Sequence, residues 1–316
     1  MGLGALSPPV ESAIAALLEQ NANLRDVTIL HEVTTSTIVE ALSKLPALES
    51  LHMGPGTLGE ASDIRARIQR ETTAFPRLKT FTSRLTLDAA VPLLLSGIAA
   101  DHSLDTLELM PTSDGFQQVD LEFVLGGVIK HTLLRQLGFR HIVTNALRAN
   151  TFRRVAMCSM LESLEIDMKV ESTADPWAMD EDVSGLLERL PRLTTLLLRL
   201  FDRKLAPLLT LRTLATAVDH CSLLQRASLF VDATTPMAVA PDPLKYCANR
   251  PRVLAFSYTV VGFESPIDAP ETVANMLTHL SPEVAIRIEK SGEGWSRWDE
   301  VVSLMSNGGA GHNPGY

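Results

Sequence analysis

Short stretches with the pattern apolar-x-x-apolar-x-apolar recur along the whole chain. Four of these stretches are preceded by a proline and have similar sequences, at residues 46–51, 76–81, 191–196 and 251–256 with the proline included. Ten copies begin at residues 24, 48, 78, 104, 134, 161, 193, 224, 253 and 283, so consecutive copies lie about 29 residues apart. Each copy predicts a short strand that turns its apolar side chains towards the core.

The segments between these copies have the spacing of amphipathic helices. Apolar residues recur at intervals of three and four in residues 10–20, 35–44, 205–220 and 270–280. The prolines before four of the strands end the preceding helices, because proline cannot continue a helix. One strand and one helix are too short to bury their own apolar faces, so neighbouring units must stack. The sequence therefore predicts an α/β solenoid with a parallel sheet on one side and helices on the other.

The repeated pattern resembles the leucine-rich repeat, in the long, helix-containing type of ribonuclease-inhibitor-like proteins. The resemblance covers about residues 10–306 and implies a horseshoe with a concave parallel sheet and outer helices. We interpret residues 1–306 as one solenoid of about ten units and residues 307–316 as a flexible glycine-rich tail. The chain departs from the family where asparagine or cysteine often follows the last leucine, since only Asp232 comes close there.

The motif Leu-Pro-x-Leu-x-x-Leu resembles the motif found in the repeat region of fungal F-box proteins. That resemblance implies the substrate receptor of a cullin-RING ubiquitin ligase, with ligase subunits among its partners. The F-box itself is not visible, because residues 1–23 are too short for it and lead directly into the first strand. We interpret the chain as a non-enzymatic protein-interaction scaffold whose narrower role as a ligase receptor rests on the resemblance. A GTPase-regulating repeat protein would share this fold and stays an alternative.

A protein partner is expected on the concave face, because strand side chains alternate and the residues between the core positions point outward. Arg140, Asp167 and Arg199 follow consecutive predicted strands. They either pair with one another as a solvated face or recognise charges on a partner. Long connections at residues 168–182, 231–243 and 259–270 form a predicted rim with Phe263 as a candidate anchor. The predicted partner-binding residues are His52, Arg84, Glu108, Arg140, Glu165, Asp167, Trp177, Arg199 and Phe230.

A second alternative is a nucleotide-binding oxidoreductase. Residues 54–59 match G-x-G-x-x-G and are predicted to follow a strand and precede a helix, as in dinucleotide-binding folds. The acidic residue expected after the next strand is missing, although Arg84 would suit a 2′-phosphate. We favour a repeat loop for Gly54, Gly56 and Gly59, and we predict no cofactor and no catalytic residue.

Composition and cysteine spacing argue against binding of nucleic acid, metal ions and membranes. With 46% hydrophobic residues and a net charge of −9, the chain has material for a core and is not predicted to bind nucleic acid. The chain has three cysteines, Cys158, Cys221 and Cys247, and their spacing is not that of metal ligands. The motif H-E-x-x-H is incomplete, because Thr35 stands in place of its second histidine. No metal site is therefore predicted. The longest uncharged apolar stretch, residues 89–100, is too short to span a bilayer. We therefore expect a cytoplasmic or nuclear protein that does not bind membranes.

Overall fold

The chain folds into two compact units. The computed structural model describes residues 7–30, 33–58, 74–85, 98, 104–110, 117–118, 121–144, 149–170, 179–202, 209–229, 231–234, 257–260, 267–280, 285–288 and 296–308. Unit 1 comprises residues 1–161 and 167–173, and unit 2 comprises residues 162–166 and 174–316. Each unit is built from parallel strands that follow chain order, with the described helices lying between some of the strands and at the chain ends.

The sheet of unit 1 is formed mainly by five parallel strands. Their bounds are β1 (Asp26–Ile29), β3 (Ser50–Leu58), β4 (Thr80–Leu85), β5 (Thr106–Leu109) and β7 (Gln136–Thr144), and they lie side by side in this order. Two short strands extend the pairing, since β2 (Val33–Thr34) pairs with β3 and β6 (Gln117–Gln118) pairs with β7. The helices are α1 (Pro8–Gln20), α2 (Ser36–Ser43), α3 (Leu121–Val128) and α4 (Ala149–Val155), of which α1 packs against α2 and α3 against α4.

Unit 2 repeats the same arrangement. Its strands are β9 (Thr195–Asp202), β11 (Arg226–Leu229), β13 (Ser257–Val260) and β14 (Ala285–Ile288), while β8 (Ser163–Val170) contributes its first residues to this unit. A separate pair is formed by β10 (Leu209–Thr210) and β12 (Val231–Asp232). The helices are α5 (Met179–Leu187), α6 (Leu211–His220), α7 (Pro270–Leu280) and α8 (Ser296–Gly308), with α5 packed on α6 and α7 on α8.

The predicted inward positions form the core. In the repeats that begin at residues 48, 78, 104, 134, 161, 193 and 224, all three predicted positions are at most 3% exposed. The register aligns the middle positions, since Phe81 pairs with Leu51 on one side and with Leu107 on the other. The predicted leucine-rich-repeat arrangement of parallel strands and alternating helices is therefore confirmed in each unit.

In six of the described repeats, a fourth buried position lies three residues before the strand pattern. Its carbonyl accepts a hydrogen bond from the N–H of the first apolar residue of the pattern. The residues at this position are Leu45, Phe75, His131, Cys158, Leu190 and Cys221, all at most 2% exposed. Cys158 and Cys221 are two members of this row. Their equivalent positions in two repeats indicate core packing from the sequence alone.

The register of the ninth repeat differs from the sequence prediction. The pattern places Phe256 at the middle position, but the structure pairs Tyr258 with Ala227 on β11 and with Ile286 on β14. Residues two apart in a strand face the same side, so alternation alone does not distinguish these two aromatic residues. As a result Thr259, rather than Ser257, shares a register position with Arg287.

Several predicted boundaries also move. The helix predicted over residues 205–220 begins at Leu211, because Leu209 and Thr210 form β10. The predicted connection at residues 168–182 is shorter, since β8 continues to Val170 and α5 begins at Met179. The other two predicted connections likewise begin in strand, with residues 231–232 in β12 and residues 259–260 in β13. The first two residues of the predicted tail, 307 and 308, lie in α8, and the rest of the tail falls outside the described residues.

Charges of alternating sign cross the starts of the strands in unit 1. The residues immediately before the five strands are Arg25, Glu49, Lys79, Asp105 and Arg135. Lys79 Nζ lies 2.7 Å from Glu49 Oε2, and Arg135 Nε lies 3.2 Å from Asp105 Oδ1. The hydrogen bond and charge of Lys79 hold the pKa of Glu49 below its usual value. This row adds lateral attraction between strands at their exposed ends, where ion pairs contribute little each.

Candidate functional site

The face of the sheet opposite the core is the candidate interaction surface. In unit 1 the register places one row of outward residues across the five strands, formed by Thr28, His52, Thr82, Glu108 and Gly138. In this row Thr28 is exposed, His52, Thr82 and Glu108 are partly exposed, and Gly138 is buried. The structure thus brings the predicted residues His52 and Glu108 onto one face, separated by Thr82.

The His52 ring contacts a hydroxyl group on this face. His52 Nε2 lies 2.9 Å from Ser50 Oγ, two residues earlier on the same strand. Ser50 is in register with Asp26 on β1 and with Thr80 on β4. Near His52, the outward face of unit 1 is therefore lined by polar side chains whose spacing is held by the strand ladder.

The predicted charged residues are distributed over both units. In unit 1, Arg84 is exposed, Arg140 is partly exposed and Asp167 is 8% exposed. In unit 2, Glu165 and Arg199 are partly exposed and occupy outward positions, because Leu164, Ile166, Leu198 and Leu200 beside them are in the core. Trp177, Phe230 and Phe263 lie outside the described residues. The role of these residues in partner binding stays a prediction.

Gly54 and Gly56 do not have the strand-loop-helix context that a dinucleotide site requires. Both lie within β3, which continues to Leu58, while Gly59 lies outside the described residues. The pairing of β3 with β4 shifts between Met53 and Gly56, an irregularity of the kind in which a strand accommodates proline. A Cβ on Gly54 would lie 2.8 Å from the carbonyl oxygen of Ile29 and 3.0 Å from Cα of Leu30. The glycine at this position allows the end of β1 to approach closely.

Replacing Gly54 with alanine should lower the free energy of unfolding by about 1–3 kcal/mol, because the added methyl group meets the backbone of β1. Gly138→Ala is the matched control, since its Cβ would meet Cγ of Glu108 at 3.5 Å, an ordinary contact with a flexible side chain. The control should change stability by about 0.5 kcal/mol or less. Urea denaturation followed by circular dichroism measures both variants, and equal losses would contradict the close-approach role of Gly54.

The described thiols are structural. Cys158 and Cys221 are buried, and Cys221 Sγ lies 3.5 Å from the carbonyl oxygen of Leu190. Burial raises the pKa of Cys158 to about 11 and that of Cys221 to about 12. Both groups are therefore protonated at neutral pH and unsuited to nucleophilic attack. Within the described part of the chain, no group of three potential metal ligands is present, and no helix is long and apolar enough to cross a membrane.

Arg226 is an outward residue that the sequence interpretation does not include. It begins β11, pairs in register with Thr195 on β9, and is exposed. The sequence interpretation considers the two outward positions after the middle core residue, whereas Arg226 occupies the outward position before it. The same alternation rule, extended one step towards the start of each strand, would have included it.

Comparisons with known proteins show distant structural likeness only. No family model matches the chain, and no curated protein matches it. Among solved structures, the chain is similar to a TLR13–ssRNA13 complex, with 12% sequence identity and a TM-score of 0.34 over 92% of this chain. The chain spans 46% of the length of that neighbour. A likeness at this level carries no functional argument, and the fold assignment rests on the strand register and burial described above.

Proposed function

We propose that this protein is a non-enzymatic scaffold that binds a protein partner through the outward faces of its strands. The observation that supports this function is the register of polar outward residues in unit 1, with His52 and Thr82 held side by side on neighbouring strands. Side chains that a sheet already fixes lose little conformational entropy on binding, which favours recognition by such a face.

Site-specific photo-crosslinking in the native cells tests this proposal. A benzophenone amino acid is introduced at Thr82 on the outward face of β4, and at Thr132, an exposed residue in the turn before β7, as the matched control. We expect the Thr82 variant to crosslink a defined protein and the Thr132 variant to give no such product. Crosslinks of equal yield at both positions, or none at Thr82, would contradict binding through the strand face.

We propose more narrowly that the partner set includes subunits of a cullin-RING ubiquitin ligase, with the protein acting as a substrate receptor in the cytoplasm or nucleus. This role is supported by the resemblance of the Leu-Pro-x-Leu motif to the repeat regions of fungal F-box proteins. Affinity purification of the tagged protein, followed by mass spectrometry, should then recover a cullin and its adaptor. Recovery of a partner without either ligase subunit would retain the scaffold proposal and reject the ligase role. An Arg140/Arg199→Glu double variant tests whether capture of the target requires the charged outward residues.

The non-enzymatic assignment predicts no stabilisation by nucleotide cofactors. A site with a dissociation constant one hundredfold below the ligand concentration would stabilise the fold by about 2.7 kcal/mol, which a thermal shift detects readily. We expect the melting temperature to stay unchanged with NAD, NADP or ATP at millimolar concentration, because Gly54 and Gly56 lie in a strand. A saturable rise with any of the three would restore the oxidoreductase or another nucleotide-dependent function.

A further inference from the structure

A basic residue and a buried hydroxyl group share the outward face of β11 in unit 2. Ala227 and Leu229 are 1% and 2% exposed and face the core, so Arg226 and Ser228 face the opposite side of the sheet. Residues two apart on one strand face are separated by about 6.6 Å along the strand. Arg226 is exposed, whereas Ser228 is only 7% exposed. The two side chains therefore form an exposed cation next to a recessed hydroxyl group.

The hydroxyl group of Ser228 lacks a hydrogen-bond partner. Its Oγ is buried, and no described residue donates to it or accepts from it. A buried polar group without a partner destabilises the fold by about 1–3 kcal/mol, so native structures rarely retain one without a purpose. Leu197 lies beside Ser228 in register on β9 and supplies a partly exposed apolar neighbour. The Oγ is covered in this conformation, so a ligand oxygen would accept the Ser228 proton once the side chain rotates towards the surface.

On the two neighbouring strands, the residues in register with Arg226 carry hydroxyl groups and are not acidic. It pairs with Thr195 on β9 and with Ser257 on β13. Among the residues that the structure describes, none forms an ion pair with Arg226. An arginine on a sheet face with no neighbouring carboxylate is complementary to a carboxylate brought by another molecule, because the guanidinium group matches its two oxygens.

We propose that the outward face of unit 2 binds an acidic segment of a protein, with a carboxylate held between Arg226 and Ser228. This inference rests on the proposed scaffold function and names the chemistry of the partner. The carboxylate accepts hydrogen bonds from the guanidinium of Arg226 and from the hydroxyl of Ser228, while the adjoining methylene groups contact Leu197. The net charge of −9 opposes acidic partners at long range, but salt screens that repulsion beyond about 8 Å and leaves direct contacts effective.

Fluorescence anisotropy with a fluorescein-labelled peptide of alternating aspartate and glutamate tests the proposal on the full chain. The reference probe is a peptide of the same length made of asparagine and glutamine. We expect the acidic peptide to bind at least tenfold more tightly than the amide peptide and to lose affinity as salt is added. Equal affinity for the two peptides would overturn the proposal.

Three variants locate the site. Arg226→Ala should weaken binding of the acidic peptide at least tenfold, whereas Arg192→Ala should change it less than twofold, because Arg192 is also exposed but lies in the turn before β9. Ser228→Ala should weaken peptide binding while leaving the melting temperature unchanged or higher, since it removes an unsatisfied buried hydroxyl. A purely structural serine would not show these opposite effects. Equal losses from Arg226→Ala and Arg192→Ala would reject the site.

Failure of this inference is distinguishable from failure of the scaffold function. Photo-crosslinking at Thr82 reports on unit 1 and does not depend on an acidic segment. A defined crosslink at Thr82 together with no preference for the acidic peptide would retain the scaffold and reject the carboxylate site. Absence of both results would reject the two proposals together.

Discussion

Replacing Phe81 with alanine should lower the free energy of unfolding by about 3–5 kcal/mol. The ring is fully buried in β4 and lies in register between Leu51 and Leu107 on the neighbouring strands. Alanine removes most of the apolar surface that this residue buries and leaves a cavity at the centre of the sheet. The backbone ladder holds both neighbouring strands in place, so the cavity cannot close fully. Urea denaturation followed by far-ultraviolet circular dichroism measures the loss.

Thr82→Ala is the matched control for this prediction. Thr82 is the next residue in β4, lies on the outward face and is partly exposed. Its replacement should change stability by about 0.5 kcal/mol or less. A comparable loss from both variants would contradict the assignment of the two faces of β4, on which the interaction surface also depends.

The core was predictable from sequence because its signal is local. Burial of three residues at fixed spacing in each strand requires apolar side chains there, and the repetition of the strands makes the pattern visible. Ser83 shows the limit of that signal, since it is polar and yet fully buried at a core position of β4. Val27 and Ile29 show the opposite deviation. They remain partly exposed, because β1 lies at the end of the sheet and, among the described strands, pairs only with β3.

Features that depend on the neighbouring repeat were harder to predict. The need for glycine at position 54 comes from the backbone of β1, and the sequence near Gly54 suggests a phosphate loop instead. The choice between Phe256 and Tyr258 is decided by pairing with β11 and β14, since both residues satisfy the same alternation. Local patterns define which side chains face inward, whereas contacts between strands define register.

The candidate surface was predictable in part. Alternation correctly places His52 and Glu108 on the outward face of unit 1. It does not show which outward residues lack a hydrogen-bond partner. The combination of Arg226 with the recessed hydroxyl of Ser228 depends on the burial of each side chain and on the register with β9, and neither property is encoded in the residues beside them.

Asp180 connects the starts of two helices in unit 2. Its Oδ1 accepts hydrogen bonds from the backbone N–H of Thr210 at 3.0 Å and from the hydroxyl of Thr213 at 2.6 Å. Its Oδ2 accepts from the hydroxyl of Thr210 at 2.5 Å. Thr210 caps α6, because its Oγ1 accepts from the N–H of Arg212 at 3.2 Å. In unit 1 the cap of α2 is held in the same way, since Thr35 donates to Glu11 of α1 at 2.5 Å.

Replacing Asp180 with alanine should therefore lower the free energy of unfolding by about 2–4 kcal/mol. The variant loses three hydrogen bonds and leaves the hydroxyl of the fully buried Thr213 without its carboxylate acceptor. Asp180→Asn retains one acceptor oxygen and should lose roughly half as much. Glu181→Ala, at the next and exposed position of α5, should change stability by about 0.5 kcal/mol or less. Urea denaturation of the three variants gives their order, and a loss from Glu181→Ala as large as that from Asp180→Ala would show that the carboxylate does not join the two helices.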